Sequence, residues 1–502
     1  MLLINELKLK LNEDESKLKE LIEHKLKTHI NSFEIKKKSL DARKEPIYVY
    51  SVLVDVDNED KYINKYISKY IKEDLNPEYK VRDKKIIVIG YGPSGIFSAY
   101  RLTEAGYKVS VFEKGKRINK RAKDVEKFFN EGILDENSNV QFGEGGAGTF
   151  SDAKLTTRIK DKYIDYILDV FVKHGCKESI KYEHHPHIGT DEIRKVIMNI
   201  TDYLIDKGCD FHFEEGVEDF IIENNKIKGI ITNKDKYLSD YVLLGIGHSA
   251  YETISKLKEK SVYIESKDMA IGFRVEHPQS LIDKNQTNNL TNEPSEYLLR
   301  YKDEKGVYSF CMCPGGFVIP AMSDSNTIVT NGMSYAARDS KIANSAILIQ
   351  LLCSEFIDGY EYLRKIENNA YNYSNSYKAL SQNIKDFINN ELNELKFKST
   401  YPLDTVLYDF NNFFNELDLR ITKDALKYFD SKIPGFIEEG IMVGPETRSS
   451  SPIRIKRNEL YESISTKHLY PMGEGAGYGG GIMSCALDGI RVSNIIINDG
   501  KV

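Results

Sequence analysis

The chain has 502 residues, of which 41% are hydrophobic and 29% are charged, and this balance excludes an intrinsically disordered protein. Its net charge of −6 provides no general attraction to nucleic acid or to anionic membranes. The first residues lack a signal-peptide pattern, no apolar run is long enough to cross a bilayer, and six cysteines are sparsely spaced. We therefore expect a cytoplasmic protein with about three domains.

The first 82 residues predict a small α/β module. Alternating Leu7, Leu9 and Leu11 indicate a strand, and an apolar stripe over 18–26 indicates a helix. Residues 33–38 and 47–56 predict two more strands, residues 62–71 a second helix, and residues 79–81 a closing strand. This order is typical of a ferredoxin-like βαββα module. The basic stretch 36–44 leaves RNA binding open as an alternative, although the charges of the module nearly balance.

A dinucleotide-binding motif follows this module. Residues 86–89 form an apolar run typical of a buried parallel strand, and Gly90, Gly92 and Gly95 complete a GxGxxG turn into a helix. A helix that begins at such a turn attracts a pyrophosphate, and an acid after the second strand accepts hydrogen bonds from ribose hydroxyls. The predicted cofactor contacts of this region are Gly90, Gly92, Pro93, Ser94, Gly95, Glu113, Lys114 and Arg121.

A second glycine-rich turn near the end of the chain favours FAD over NAD. Residues 469–492 read as a short strand, a dense glycine loop and a helix. FAD is long enough to require a second contact region for its ribityl chain and flavin ring, which an NAD-dependent dehydrogenase does not need. The predicted contacts are Gly473, Glu474, Gly480, Gly481 and Ile482, with the carboxylate binding a ribityl hydroxyl and the loop N–H groups facing the flavin.

Between these motifs, residues 211–247 predict a β-meander that returns to the main sheet. It ends in a GxGxxA turn made by Gly245, Gly247 and Ala250. This turn is either a second nucleotide site for NADPH, with residues 262–265 as its second strand, or a turn that passes beside the FAD. The shortness of the following helix favours the second interpretation. The predicted cofactor contacts here are Val217, Gly245, Gly247 and His248.

The chain resembles the bacterial FAD-dependent dehydrogenases, also called NAD(FAD)-utilising dehydrogenases, within the glutathione-reductase-like FAD-binding superfamily. The matching segments lie in order along nearly the whole chain and include SLDAR at 39–43, NVQFGEGGAGTFSDAKLTTR at 139–158, HPHIGTDEIR at 185–194, IGFRVEHPQ at 271–279 and ETRSSSPIRI at 446–455. The resemblance implies the fold and non-covalent FAD, but little about the substrate. One departure is Ala153, where the family pattern has glycine; another is the pair Leu244–Gly245, where it tends to have a small residue.

By position and resemblance, a further glycine loop at 143–151 runs past the flavin, although a plain flexible loop is the alternative. Its predicted cofactor contacts are Gly145, Gly146, Ala147, Gly148 and Thr149.

Three side chains are candidate catalytic residues. Arg448, together with Arg454, would clamp an anionic substrate, and Arg274 is a further candidate. His248 would act as a proton donor beside the flavin. For the arginines, the alternative is a structural role.

Two further clusters give no catalytic or metal site. Cys311 and Cys313 form a CxC pair, which is either a dithiol relay or two buried structural cysteines, and the strain of so small a ring favours the latter. His184, His185 and His187 lack the partner spacing of a metal site, so no metal is predicted.

The predicted fold class is α/β: a glutathione-reductase-like FAD/NAD(P)-binding Rossmann domain with a β-meander, an inserted α+β substrate or cap domain, and the N-terminal module. The FAD domain is predicted at 83–160, 205–250 and 436–502, with a helical insertion at 161–204 and the cap domain at 251–435. We expect an FAD-dependent oxidoreductase that transfers hydride between flavin N5 and a small-molecule substrate or NAD(P)H. The alternatives are a flavin-bearing RNA-binding or RNA-modifying protein and a non-catalytic FAD-binding scaffold.

Overall fold

The computed structural model describes residues 1–41, 46–183, 186–289 and 293–499. The end of the basic stretch 36–44, part of the SLDAR segment, and both His184 and His185 lie outside the described residues. Within the described part of the chain, no helix combines the length and the apolar character needed to cross a bilayer.

The strands, in chain order, are β1 (Leu2–Lys10), β2 (Ser32–Asp41), β3 (Ile47–Asp55), β4 (Ile67–Lys69), β5 (Lys85–Ile89), β6 (Lys108–Glu113), β7 (Asp210–Phe213), β8 (Val217–Glu223), β9 (Lys226–Thr232), β10 (Lys236–Leu238), β11 (Tyr241–Leu244), β12 (Ile264–Ser266), β13 (Met269–Pro278), β14 (Arg300–Lys302), β15 (Gly306–Cys313), β16 (Phe317–Pro320), β17 (Thr330–Met333), β18 (Ile342–Leu351), β19 (Ala379–Asn383), β20 (Thr405–Leu407), β21 (Ile441–Glu446), β22 (Ile453–Ile455) and β23 (Leu469–Pro471).

The helices are α1 (Lys17–Leu26), α2 (Pro93–Glu104), α3 (Ile118–Glu131), α4 (Tyr163–Lys173), α5 (Thr190–Asp206), α6 (Tyr251–Glu259), α7 (Gln279–Thr287), α8 (Gly359–Ser374), α9 (Ile384–Asn389), α10 (Glu416–Lys432), α11 (Phe436–Glu439) and α12 (Ile482–Ile497).

The chain divides into two compact units. The first consists of Met1–Asn76 and Lys154–His187, and the second of Pro77–Ala153 and Ile188–Val502. The segment predicted as one helical insertion, 161–204, is therefore split. Its first part, including α4, belongs to the N-terminal unit, whereas α5 belongs to the second unit.

The first unit contains a four-stranded antiparallel sheet in the order β2-β3-β1-β4. The predicted strands at 33–38 and 47–56 and the helix over 18–26 are present, and α1 buries Leu18, Ile22 and Leu26. The insertion packs within this unit: Lys36 Nζ lies 2.5 Å from Asp165 Oδ2 in α4, and the Lys38 N–H donates to Tyr182 O at 2.7 Å.

The predicted second helix of the module, over 62–71, is wrong. A 3₁₀ turn at Glu59–Tyr62 and the short strand β4 occupy this segment. Ile67 is buried, but Ile63 and Ile71 are 46% and 81% exposed, so the apolar pattern has no core to face. Such β-branched residues also favour extended backbone. Residues 79–81 form no closing strand either, and the Lys80 N–H donates instead to Ala105 O at 3.3 Å.

A five-stranded parallel sheet organises one part of the second unit. Its order is β23-β11-β5-β6-β7, so it joins strands from all three segments predicted to form the FAD domain. Helix α2 packs closely on β5 because Gly95 has no side chain: a Cβ there would lie 2.0 Å from Gly90 O. Helix α12 packs as closely on α2, since a Cβ on Gly489 would lie 2.3 Å from Ser94 O.

The predicted β-meander is confirmed. Strands β8, β9 and β10 form an antiparallel sheet, and Asn224 and Asn225 make its first turn with φ of 49° and 57°. Strand β11 then returns to the parallel sheet. The second strand that the NADPH interpretation of the following GxGxxA turn requires is not formed, because β12 pairs antiparallel with β22 instead of adding a parallel strand.

The other large sheet has seven strands in the order β14-β15-β18-β13-β21-β19-β20. It includes residues 270–276 in β13 and 307–312 in β15, whereas residues 330–333 form β17, which pairs with β16 in a separate ribbon. Strand β21 lies in the seven-stranded sheet, although its residues were predicted to belong to the FAD domain. Phe273, Phe387 and Phe410 pack together in its core.

His277 makes the second unit sensitive to acid. Its imidazole is fully buried, with Nε2 2.8 Å from Phe436 O, and burial lowers the pKa of His277 to about 4 from 6.5. The unfolded chain therefore binds a proton that the folded chain does not bind between these pH values. We expect His277 to contribute about 3 kcal/mol of stability above pH 6.5 that is lost as the pH falls through this window.

The variant His277→Gln retains an N–H donor but does not titrate, so its melting temperature should fall less steeply than that of the wild type between pH 6.5 and 4. His29→Gln, at a 99% exposed imidazole, is the matched control and should leave the slope unchanged. Equal slopes for His277→Gln and the wild type would contradict this assignment.

Candidate functional site

Three glycine-rich segments that are far apart in sequence meet in the second unit. A Cβ on Gly146 would lie 2.8 Å from Gly92 Cα, so the two backbones are in contact. A Cβ on Gly148 would lie 3.1 Å from Ile482 Cγ1 and 3.9 Å from Pro93 Cγ. Pro93 and Ile482 are the first residues of α2 and α12, so both helices begin beside the same loop.

The turns after β11 and β23 complete this arrangement. A Cβ on Gly245 would lie 2.9 Å from Ser94 Oγ, and one on Gly473 would lie 2.6 Å from the same atom. A Cβ on Gly475 would lie 2.1 Å from Gly247 O. Because β5, β11 and β23 are parallel neighbours, their carboxyl ends lie at one edge of the sheet. We call the residues 92–93, 146–148, 245–247, 473–474 and 480–482 the glycine edge.

The glycine edge combines open space with helix N-termini that lack side-chain caps, although the Gly480 N–H donates to Ser484 Oγ at 3.1 Å. A Cβ on Gly247, Gly480 or Gly481 would meet no atom within 4 Å in the described part of the chain, and one on Gly92 would meet only Gly146 Cα, at 3.8 Å. Neither α2 nor α12 has a side-chain cap at its N-terminus. Uncapped helix N-termini attract anions through their N–H groups and dipoles. The edge therefore suits a long ligand that carries phosphates.

Glu113 ties the motif together from the end of β6. Its buried carboxylate accepts hydrogen bonds from the N–H groups of Tyr91 at 3.0 Å and of Gly115 and Gly143 at 2.9 Å each. A carboxylate has about four acceptor positions, so about one is left for a ligand. The neighbouring Lys114 places its Nζ 4.1 Å from the ring centroid of Phe142.

Arg121 was predicted to contact the cofactor, but its side chain does not face the glycine edge. Its guanidinium is fully buried and donates to the carbonyl oxygens of Asn139, Val140 and Glu144 at 2.7–2.9 Å. It also lies over the ring of Phe150, and burial lowers the pKa of Arg121 to about 9. The guanidinium therefore holds the loop before Gly145 and has no exposed face for a pyrophosphate.

Hydrogen bonds fix the glycine loop at 145–149. The Gly145 N–H donates to Tyr91 O at 2.9 Å, and the buried Thr149 donates from Oγ1 to Glu144 O at 3.2 Å. Ala147 begins a 3₁₀ turn that ends at Phe150. The loop is thus built into the motif, and its open surface comes from its glycine backbone.

The structure also shows where two further residues of the sequence analysis lie. Val217, a predicted cofactor contact, begins β8 and is half-buried against the core around the meander. Ala153, where the family pattern has glycine, adopts φ of 50°, a left-handed conformation that glycine adopts without steric cost.

His248 follows the glycine edge directly. Its Nδ1 lies 3.4 Å from Glu474 Oε1, and its Nε2 is buried without a hydrogen-bond partner within the described residues. A buried ring nitrogen without a partner is costly unless a ligand or water satisfies it. His248 is therefore the predicted catalytic side chain that remains available to a ligand.

Arg448 already has a full set of protein partners. Its guanidinium contacts Glu367 Oε1 at 3.1 Å and Oε2 at 2.8 Å, and Asp324 Oδ2 at 2.8 Å. It also donates to the hydroxyls of Ser323 and Ser249. Two carboxylates balance the charge of this cation within the chain, which favours the structural role of Arg448 over a clamp on an anionic substrate.

Arg274 is likewise occupied. It is fully buried in the seven-stranded sheet, where it donates to Glu446 at 3.2 Å, to Asn344 Oδ1 at 2.9 Å and to Cys311 O at 2.7 Å. Gly332 leaves the space for this side chain, since a Cβ there would lie 2.0 Å from Arg274 Nη2. Arg274 therefore holds strands together, which favours its structural role.

Cys311 and Cys313 are not arranged as a reactive dithiol. The buried Cys313 donates from Sγ to Cys311 O at 3.3 Å, and the hydrogen bond with Cys311 together with burial raises the pKa of Cys313 well above its ordinary value. A thiol with a raised pKa is a poor nucleophile at neutral pH. Among the described residues, no group of three or more His, Cys, Asp or Glu side chains is placed to hold a metal ion.

The sequence did not reveal an ion pair that positions the second glycine turn. Arg457 contacts Asp488 in α12 at 2.6 Å and 2.9 Å, and the same carboxylate accepts the Gly473 N–H at 2.8 Å. Arg457 also lies 3.6 Å from the ring centroid of Tyr478. Arg457 and Asp488 lie 31 residues apart, and nothing in their spacing signals a contact. The one indication in the sequence is that Asp488 is a charged residue within an apolar helix, which suggests a buried partner.

Comparisons with known proteins agree with this geometry. Residues 88–142 match the NAD(P)-binding Rossmann-like domain, and residues 268–449 match the family described as FAD-dependent protein, C-terminal domain-like. Residues 1–57 match a domain of unknown function. An uncharacterized protein of Clostridium beijerinckii is 39% identical over 526 residues, which cover 98% of each chain.

Other similarities are partial or distant. The D-amino acid dehydrogenase of Helicobacter pylori is 29% identical over 106 residues, which cover 21% of this chain and 24% of that protein. Among solved structures, the L-proline dehydrogenase from P. horikoshii is 13% identical with a TM-score of 0.37, covering 84% of this chain and 95% of that one. CtdE in complex with FAD is 12% identical with a TM-score of 0.32, covering 84% and 83%.

The match over 98% of each chain places this chain and the Clostridium protein in one family. The two domain matches indicate an FAD-dependent protein with a Rossmann-like domain. The predicted α/β fold with a Rossmann-like FAD-binding domain is confirmed. The chain belongs to the same family as the Clostridium protein, and with its Rossmann-like and FAD-dependent domains it is an FAD-dependent oxidoreductase.

Proposed function

We propose that FAD lies along the glycine edge, with its pyrophosphate at the N-terminus of α2 and its flavin ring at the N-terminus of α12. The observation that carries this proposal is the meeting of two uncapped helix N-termini at one glycine loop. Each N-terminus offers free N–H donors, one for the phosphates and one for the flavin edge where negative charge develops on reduction. Gly92, Gly480 and Gly481 leave the space that the cofactor requires.

Two carboxylates would bind the sugar-like parts of FAD. Glu113 offers its remaining acceptor position to a ribose hydroxyl, while its three backbone hydrogen bonds keep it in place. Glu474 would accept a hydrogen bond from a ribityl hydroxyl, since it follows Gly473 at the same edge and its side chain is 24% exposed.

The chain itself would orient the substrate and handle a proton. When bound, the flavin supplies the group that exchanges hydride with the substrate carbon. His248 would hold or release a proton at Nε2, the buried atom that has no hydrogen-bond partner within the described residues. The neighbouring Glu474 would keep the imidazole oriented through Nδ1, 3.4 Å away.

We further propose that a small organic molecule, and not NAD(P)H or RNA, is the reductant or acceptor at this site. The antiparallel pairing of β12 with β22 removes the second nucleotide motif that the sequence suggested. In the N-terminal unit, the basic stretch is partly neutralised, because Lys36 pairs with Asp165 at 2.5 Å and Lys38 with Glu15 at 2.8 Å. Both observations favour a metabolite as the partner.

Gly92→Val should abolish FAD binding without unfolding the chain. The residue has φ of −81°, which any residue adopts, and its Cβ position faces open space, so the valine would occupy the place of the pyrophosphate. Flavin content per purified protein, measured by absorbance, should fall to near zero. Gly306→Val, at a position where a Cβ meets only Gln350 Oε1 at 3.8 Å, is the control. A yellow Gly92→Val protein would contradict our placement of the cofactor.

Anaerobic mixing of the holoprotein with NADH, NADPH and a panel of small metabolites tests the electron donor. We expect a metabolite to bleach the flavin absorbance rapidly and both nicotinamides to act slowly, because the second nucleotide motif is absent from the turn after β11. Rapid bleaching by either nicotinamide would overturn the proposal that a metabolite is the donor.

His248→Gln should slow flavin reduction by the identified substrate about 100-fold while the FAD content stays unchanged. His29→Gln, at an exposed imidazole of the N-terminal unit, serves as the control. An unchanged rate in His248→Gln would remove this residue from the mechanism.

A further inference from the structure

Two cations share one face of the ribbon formed by β12 and β22. Glu265 pairs with Arg454 in this antiparallel ribbon, and the Lys267 N–H continues it by donating to Pro452 O at 2.9 Å. Alternate residues of a strand share a face, and paired residues of neighbouring strands do so as well. Lys267 and Arg454 are therefore diagonal neighbours on the same face.

These two cations differ from the neighbouring ones in having no carboxylate partner. Lys456 pairs with Glu265 at 3.2 Å and Arg457 with Asp488 at 2.6 Å. In the described part of the chain, neither Lys267 nor Arg454 makes an ion pair: Lys267 Nζ donates to Ser451 O at 3.4 Å, and Arg454 Nε is buried without a hydrogen-bond partner. Within the described residues, the ribbon thus carries two cations without an ion-pair partner, and Arg454 Cζ lies 5.3 Å from the ring centroid of Tyr478.

The two cations border the glycine edge. Ser451, whose carbonyl contacts Lys267, donates from Oγ to Gly475 O at 3.3 Å, and a Cβ on Gly475 would lie 2.1 Å from Gly247 O. A Cβ on Gly477 would lie 3.2 Å from Arg454 Cβ. The pair is therefore linked through the segment after Glu474 to the turn that carries His248.

The electrostatics of this pair call for an anion. Burial lowers the pKa of Lys267, and the charge of Arg454 lowers it further, against smaller opposing effects of Glu474 and Asp268. Like charges held together in a half-buried position cost free energy unless an anion lies between them. A guanidinium and an ammonium together offer several donors to the oxygens of one anionic group.

We propose that Lys267 and Arg454 bind an anionic group of the substrate, a carboxylate or a phosphate, beside the glycine edge. This inference rests on the proposed function, since it names the substrate class of the same site. The anion would be anchored by the ribbon, with the reacting part of the substrate directed toward His248. The enzyme would then select small organic acids or phosphate esters over neutral compounds.

Titration of the FAD-loaded protein with benzoate and, separately, with inorganic phosphate tests the proposal, with the absorbance of the bound flavin as the readout and sodium chloride at matched ionic strength as the blank. We expect a saturable spectral change with at least one probe. Benzoate alone would indicate a carboxylate, phosphate alone a phosphate ester, and both an anion site without preference between them.

Lys267→Met and Arg454→Met should each weaken the apparent Kd of that probe about tenfold or more, because each removes charge-assisted hydrogen bonds. Arg454→Lys should recover part of the affinity. Lys456→Met, which removes the same charge from a paired residue of the ribbon, is the matched control and should bind the probe like the wild type.

Three results would overturn the inference. These are the absence of a saturable change with either probe, unchanged affinity in both methionine variants, or loss of FAD from those variants, which would assign the cations to the cofactor. Failure of the proposed function would look different, because wild-type protein would then contain no FAD along the glycine edge.

Discussion

Close approach of backbones at the carboxyl edge of the parallel sheet is the constraint on which the site depends. A Cβ at Gly95, Gly146, Gly473 or Gly475 would lie between 2.0 and 2.8 Å from a neighbouring atom, so these turns can meet only as glycines. Their meeting brings two helix N-termini to one loop. The free N–H donors, the open space and the position of His248 all follow from that contact. The glycine edge is thus built from backbone, and side chains mainly hold it in place.

The arginines illustrate that second role. Arg121, Arg274 and Arg448 are all buried and donate to carbonyls or carboxylates of the chain. In each case the guanidinium connects segments distant in sequence, and no charge is left for a ligand. Arg454 differs because its Nε has no partner within the described residues and Lys267 lies beside it. Of these four arginines, Arg454 is therefore the one that our proposal assigns to a ligand.

Short-range sequence patterns predicted some secondary-structure elements correctly and others wrongly. Strands β5 and β6, helix α2 and the meander follow from short-range signals: a glycine turn, a continuous apolar run and paired asparagines. The predicted helix over 62–71 failed because periodicity alone does not show whether a core faces it, and Ile63 and Ile71 face none. The second nucleotide motif failed because its next strand pairs with β22, nearly 190 residues away, in the wrong direction.

The sequence by itself determined that a dinucleotide-type cofactor binds here, because a GxGxxG turn between a buried strand and a helix has a local geometry that its own residues impose. It also located the second glycine turn and the meander. Only the tertiary structure decided which charged side chains have an ion-pair partner. Arg448 pairs with Glu367 and Arg457 with Asp488, and both contacts depend on the packing of whole sheets and helices. Charge is a property of the residue, whereas its availability is a property of the fold.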